Sequence, residues 1–192
     1  LFSDRWTGGA ALKMIYSKLA DYSSVALAVD LGLNYFDEEQ DLSASLSVQN
    51  IGTQVKAYDD GMKTHLPFTL TLGFSKGFDH LPVRIHAAFT DVTRWKSNYY
   101  ALPDADSKKV KFGSKLLNHF VVGLDILPTN YLYIAAGYNF RRAYELKASG
   151  SSKMAGLSFG AGIDLKGFKF GLSYARYHLA ASSIMGSLAY SF

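Results

Sequence analysis

The sequence contains no cysteine, only four prolines and no long apolar run. Without cysteine, the protein can form no disulfide framework, no cysteine zinc site and no thiol nucleophile. No stretch approaches the roughly 18 consecutive apolar residues that a membrane-spanning helix needs. Disulfide-stabilised folds, cysteine chemistry and helical membrane spans are therefore excluded.

The sequence also lacks a concentrated charge of one sign. Its 20 Lys and Arg residues are interleaved with 16 Asp and Glu residues, which leaves a formal net charge of +4. Nucleic-acid binding is not indicated, because the basic residues are scattered along the chain. A length of 192 residues fits one domain, and we expect a single β-barrel domain over residues 1–192.

Alternation of large apolar residues with small or polar ones is the main pattern of the chain. Every second residue from Val25 to Tyr35 is valine, leucine or tyrosine, whereas the residues between them are alanine, glycine, aspartate or asparagine. A period of two indicates β-strands. Segments near ten residues suit tilted strands that cross a bilayer, since strands of soluble proteins are usually about five or six residues long. The pattern predicts ten strands, at about 10–18, 22–36, 42–49, 66–75, 81–91, 116–127, 131–141, 154–165, 168–178 and 183–192.

The connections between these segments differ in length in a partly alternating way, although the first and last, both odd-numbered, are also short. The second, fourth, sixth and eighth are short, and the three long ones are all odd-numbered, so the long ones lie at one rim of the sheet. Outer-membrane barrels have short periplasmic turns and longer outer loops. We therefore predict an all-β fold, an antiparallel transmembrane outer-membrane β-barrel. A soluble β-sandwich or lipocalin-like barrel is the alternative, because alternation alone means only that one face is buried.

The last strand continues to an aromatic C-terminal residue, in the ending "GSLAYSF". This ending resembles the signal that the barrel-assembly machinery reads on bacterial outer-membrane proteins. The residues expected to form this signal share one face of the strand: Gly186, Leu188, Tyr190 and Phe192.

A wider resemblance covers nearly the whole chain. It is carried by runs such as "YSKLADYSSVALAVDLGLNYF", "LPFTLTLGFSKGF", "LNHFVVGLDILPTNYLYIAAGYNFRRAYEL" and "AGLSFGAGIDLKGFKFGLSYARYHLA". In order and content these runs resemble the PorV/PorQ family of the Bacteroidetes type IX secretion system, which is more distantly related to FadL-type fatty-acid channels. The resemblance implies a barrel of about fourteen strands, so we expect N-terminal strands and any luminal plug to be missing here.

The same resemblance implies a function at the outer membrane. Members of the family belong to a cell-surface attachment complex that processes secreted cargo and joins it to anionic lipopolysaccharide. The expected role is to anchor surface partners such as PorZ, PorU and PorV without catalysis, and the alternative is a FadL-like channel for hydrophobic or small solutes. A channel is permitted by the small residues expected on the luminal face: Gly156, Gly160, Gly162, Gly171 and Ser173.

The longest predicted outer loop combines aromatic rings with cations. Exposed Tyr, Trp and Arg side chains are frequent anchors of protein interfaces, and cations also suit lipopolysaccharide phosphates. The alternative is a solvated loop whose rings belong to the aromatic girdle of the membrane interface. The residues predicted to bind a partner are Arg94, Trp95, Tyr99, Tyr100, Lys108, Lys109 and Lys111, with Lys115 further along.

Titratable residues also alternate onto the predicted luminal face. Opposite charges there are expected to neutralise one another, because an unpaired buried charge costs several kcal/mol. We expect no catalytic residues, no cofactor and no metal site. The residues expected to share this face are Asp30, Arg84, His86, His119, Asp125, Asp164 and Lys169.

Overall fold

The computed structural model describes residues 4–19, 21–57, 65–78, 80–96, 99, 110–148, 155–176 and 182–190. Ten β-strands and two α-helices lie within these ranges. In chain order they are β1 (Trp6–Leu19), β2 (Tyr22–Asp37), β3 (Leu42–Lys56), β4 (Thr69–Phe78), β5 (Leu81–Phe89), α1 (Phe112–Asn118), β6 (Phe120–Thr129), β7 (Leu132–Asn139), α2 (Phe140–Ala148), β8 (Leu157–Leu165), β9 (Phe168–Ala175) and β10 (Ser183–Tyr190).

All ten strands form one antiparallel sheet in which each strand pairs with the next one along the chain. The prediction of ten antiparallel strands is thereby confirmed. The sheet is not closed, because within the described residues β1 pairs only with β2 and β10 only with β9. Closure into a barrel stays a prediction.

The two faces of the sheet differ in exposure, as β2 illustrates. Leu27 and Leu31, on what we call the apolar face, are 51% and 45% exposed. Ala26 and Ala28, on the opposite face, are 3% and 4% exposed. We call this second face the polar face, because it also carries Asp30 and charged or titratable residues of other strands, such as Arg84, His86 and Asp125. A soluble sheet commonly buries its apolar face, and this sheet exposes it.

The two rims of the sheet carry connections of different length. The connections at 38–41, 79–80, 130–131 and 166–167 define the short-turn rim. Lys166 and Gly167 both have positive φ, which suits the two-residue turns that match the twist of a hairpin. The opposite, long-loop rim carries the connections 57–68, 90–119 and 140–156, which include both helices.

The helices are the main departure from the predicted elements. Strands were predicted over 116–127 and 131–141, whereas Phe112–Asn118 and Phe140–Ala148 are helical. The side chain of Asn139 explains why α2 begins at Phe140. Its Oδ1 accepts a hydrogen bond from the Arg142 N–H at 2.9 Å and so caps the helix. Neither helix in the described ranges has the length and apolar character needed to cross a membrane.

Candidate partner-binding rim

The long-loop rim contains the most deeply buried side chain cluster of the described protein. His119 lies at its centre with no exposed surface. The Nδ1 atom of its ring is 2.7 Å from the carbonyl oxygen of Lys115, and the Nε2 atom is 3.0 Å from that of Arg94. The ring therefore joins the end of α1 to the chain segment that follows β5.

Aromatic rings cover both sides of His119. The rings of Trp95 and Tyr99 each lie 4.3 Å from it, with interplanar angles of 20° and 3°. Trp95 Nε1 donates to the carbonyl oxygen of Val92 at 2.6 Å, and the Tyr99 hydroxyl donates to that of Asn118 at 3.0 Å. The Trp95 N–H and the Tyr99 O–H thus both have a hydrogen-bond acceptor inside the cluster, as buried Trp and Tyr side chains usually do.

Arg141 of α2 connects this cluster to two carboxylates. Its guanidinium lies 3.1 Å from Asp91 and 3.0 Å from Glu145, and its Cζ is 4.2 Å from the centre of the Tyr99 ring. Burial raises the pKa of the Tyr99 phenol, although attraction to the Arg141 cation opposes this effect. Segments separated by more than forty residues are therefore held together at this rim.

The predicted partner-binding residues occupy different environments. Tyr99 is 2% exposed, so the expectation of an exposed ring at this position is wrong. Arg94 and Trp95 are half-buried: Arg94 lies 3.7 Å from Asp91, and Trp95 stacks on Phe112 at 5.9 Å. Lys111 is exposed. The other predicted residues, Tyr100, Lys108 and Lys109, lie outside the described residues.

The exposed surface of α1 was missed by the sequence analysis. Phe112 is 72% exposed, and Leu116 and Leu117 are also exposed. Lys111 precedes Phe112, and Lys115 lies in the last turn of the helix. The alternation expected for a strand hid this short helix. Among the described residues of the rim, its apolar and cationic side chains form an accessible surface beside the buried cluster.

Part of the predicted assembly signal lies on β10. Gly186, Leu188 and Tyr190 follow one another on the apolar face, opposite Leu172, Phe170 and Phe168 of β9. The Tyr190 ring packs 4.6 Å from that of Phe168. Phe192 lies outside the described residues, and reading of this strand by an assembly machinery stays a prediction.

Titratable side chains on the polar face pair as expected. The closest atoms are 2.8 Å apart for His86 with Asp125 and 3.5 Å apart for Lys169 with Asp164. Two further pairs involve partners that were not predicted, Lys13 with Asp30 at 2.7 Å and Arg84 with Asp41 at 2.9 Å. His119 was expected on this face, and that expectation is wrong, because its ring lies in the rim cluster.

One local pattern was not predicted, although it occurs twice in the chain. The motif G-x-S-x-G, which marks the nucleophile elbow of many hydrolases, occurs at 73–77 and 156–160. In an elbow the serine sits on a strained turn between a strand and a helix. Here Ser75 lies within β4 and Ser158 within β8, so neither motif forms an elbow.

Comparison with known protein families finds no matching family model, and comparison with curated proteins finds no significant match. The functional interpretation therefore depends on the residues, the sheet and the rim described above.

Proposed function

We propose that the chain is an outer-membrane β-barrel of the type IX secretion system that anchors a cell-surface attachment complex. The observation that carries this proposal is the exposure of the apolar face. Leu12, Leu172 and Leu188, on strands at or near both edges of the sheet, are 87%, 62% and 67% exposed. Contiguous apolar surface of this kind marks a lipid or protein contact in a folded protein.

Lipid contact offers a physical reason for this surface. Removing a leucine or phenylalanine side chain from water is worth about 1.5–3 kcal/mol. Large apolar residues recur on the same face from β1 to β10, whereas a protein partner covers a limited patch. Acyl chains surround a membrane protein on every side, and they therefore suit a face that is apolar along all ten strands.

A lipid environment also requires that the edges of the sheet find partners. Unpaired backbone N–H and C=O groups cost several kcal/mol each in hydrocarbon, so spanning sheets close into barrels. The proposal therefore includes further strands between β1 and β10, as in the barrels of about fourteen strands that the sequence resembles. The short-turn rim then faces the periplasm and the long-loop rim faces outside.

The long-loop rim has the composition of a surface that binds partners. Phe112 and Leu117 present apolar area, Lys111 adds a cation, and the His119 cluster holds their support rigid. The proposed partners are proteins of the attachment complex, such as PorZ, PorU and PorV, together with lipopolysaccharide phosphates. Function is frequently carried by loops on a rigid scaffold, which fits this arrangement.

Orientation in the membrane can be tested with single cysteines, because the chain has no cysteine of its own. Lys111→Cys at the long-loop rim should react with a membrane-impermeant maleimide on intact cells. Lys166→Cys at the short-turn rim is the matched control and should react only after the envelope is broken. Equal labelling of both variants on intact cells, or a protein found in the soluble fraction, would contradict the proposal.

Anchoring can be tested at the exposed surface of α1. Phe112→Asp should reduce capture of the attachment complex from detergent extracts by about tenfold or more, as loss of an aromatic interface anchor does. Lys166→Asp at the opposite rim should leave capture unchanged. Unchanged capture with Phe112→Asp would show that this surface does not bind the complex.

A channel is the second candidate, and one observation favours it. Small side chains on the polar face, including Ala135, Gly137, Ser158 and Ser173, line a cavity of about 350 Å³. Space of this size admits a small solute. Steady single-channel conductance of the reconstituted protein would favour transport over anchoring alone.

A further inference from the structure

Three residues with the chemistry of an acyl-transfer site lie side by side on the polar face. Ser75 is on β4, His86 on β5 and Asp125 on β6, which are consecutive strands of the sheet. Ser75 and His86 are direct partners in the β4–β5 register. The Nε2 atom of His86 lies 2.8 Å from the Oδ2 atom of Asp125.

The His86 ring is oriented so that the edge with its second nitrogen points away from β6. Its Cδ2 atom lies toward β6, 3.8 Å from the position that a Cβ on Gly123 would occupy. Because Cδ2 and Nε2 both face β6, the opposite edge of the ring, with Nδ1, is turned toward β4, where Ser75 is the register partner of His86. A carboxylate only accepts hydrogen bonds, so Nε2 donates to Asp125, and in the neutral ring Nδ1 is then the nitrogen with the free lone pair.

Ser75 lies between two glycines whose places are covered by side chains of the preceding strand and turn, Ser45 over Gly73 and Asp41 over Gly77. In a strand the motif Gly73-x-Ser75-x-Gly77 places both glycines on the same face as the serine. The carboxylate of Asp41 lies over Gly77, where a Cβ would overlap it, and the same carboxylate binds the Arg84 guanidinium at 2.9 Å. The Arg84 cation is thereby held on the polar face, two residues before His86 in β5.

The space beside these residues is large enough for a small substrate. A cavity of about 400 Å³ is lined by Ser43, Ser45, Ser75, His86 and Ala88 among others. Binding cavities for small molecules begin at roughly 300 Å³. The other G-x-S-x-G motif lacks these neighbours, because Ser158 is paired with Gly137 and Ala175.

We propose that Ser75 is a nucleophile toward small carboxylic esters, with His86 as its general base and Asp125 as the residue that positions His86. The Ser75 Oγ atom bonds to the ester carbonyl carbon as its proton moves to Nδ1 of His86. The ester C–O bond then breaks, and that proton passes to the departing alkoxide. Water repeats the sequence, releasing the carboxylic acid and restoring the Ser75 hydroxyl. The inference goes beyond anchoring and does not depend on it.

A fluorophosphonate probe tests the nucleophile in the folded protein. The Oγ–P bond forms as fluoride leaves, so the product is stable and its site can be mapped by mass spectrometry. We expect labelling at Ser75, complete loss with Ser75→Ala and unchanged labelling with Ser158→Ala, which alters the matched motif. Far-UV circular dichroism confirms that each variant is folded. A folded wild-type protein that is not labelled, or is labelled equally at Ser158, would overturn the proposal.

The base and its positioning residue have separate tests. His86→Asn should slow labelling by roughly 100-fold or more, the usual contribution of a general base. Asp125→Asn should shift the pH dependence of the labelling rate, whereas Asp164→Asn, which removes another paired carboxylate of the polar face, should leave it in place. A rate unchanged by His86→Asn, or an identical pH profile for Asp125→Asn and wild type, would contradict the assigned roles.

Discussion

A positive charge placed on the apolar face should destabilise the protein far more than the same charge on the polar face. Leu172 is suited to this test, because it lies near the middle of β9, between Ala161 of β8 and Gly186 of β10. Its side chain is exposed, so Leu172→Arg removes little packing within the protein. The matched control is Ser173→Arg, one residue further along the same strand and on the opposite face.

The loss of unfolding free energy in Leu172→Arg depends on whether lipid or water surrounds residue 172. Arginine on the lipid face of a barrel costs about 2–4 kcal/mol at the bilayer midplane. At about 1.4 kcal/mol per tenfold change, this is roughly a 30- to 700-fold fall in the folding equilibrium constant. An exposed position in water tolerates most substitutions within about 0.5 kcal/mol. The two environments therefore differ by more than the error of an unfolding measurement.

Reversible unfolding from lipid vesicles by guanidinium chloride measures this difference, with tryptophan fluorescence as the signal. We expect a large loss of unfolding free energy for Leu172→Arg and a change below about 0.5 kcal/mol for Ser173→Arg. If both variants fall within that small range, acyl chains do not contact the apolar face and the proposed location is wrong. If Ser173→Arg is the costly variant, the two faces have been assigned to the wrong solvents.

Three further results are expected from the rim and the turns. Arg141→Met removes the close cationic partner of Asp91 and the cation above Tyr99, and should lower the unfolding free energy by about 1–3 kcal/mol in a denaturant titration. The pKa of Tyr99 is raised in the folded protein, so this residue contributes stability at pH values below its ordinary pKa of 10.0, and the contribution is lost as the pH rises through the pKa of the folded state. Tyr99→Phe should therefore flatten the alkaline limb of a stability–pH curve. Gly156 has φ of +83°, and Gly156→Ala should cost about 1–2 kcal/mol in thermal unfolding, whereas Gly32→Ala, where no atom lies within 4 Å of the added Cβ, should cost less.

The strands were predictable because their signal is local. A period of two can be read within any one segment, and a residue such as Leu31 needs no distant partner to reveal its face. Helix α2 also had a local signal, in Asn139 as N-cap and in the spacing of Arg141 and Glu145, which pair at i and i+4. The helix was nevertheless missed, because the predicted strand was continued two residues beyond the end of β7.

The rim cluster could not be predicted in the same way. Tyr99, His119 and Arg141 come from three segments, and no periodicity links them. Aromatic and cationic residues of a long loop suit an exposed interface and a buried cluster equally well. The decision between the two depends on which segments meet at the rim, and this follows from the connections between strands. Tyr99 is buried for that reason, although its neighbours in the sequence are polar.

The polar face adds a constraint on register that the apolar face does not. Sliding β5 by one residue against β4 would send the His86 side chain to the apolar face and place Ile85 or Ala87 opposite Ser75. A slip of two residues would keep each face in its own solvent, and large apolar residues would still meet large apolar residues. The same slip would move Arg84 away from Asp41 and break that ion pair. The polar contacts therefore distinguish the observed register from slips that the apolar pattern tolerates, and the juxtaposition of Ser75, His86 and Asp125 depends on that register.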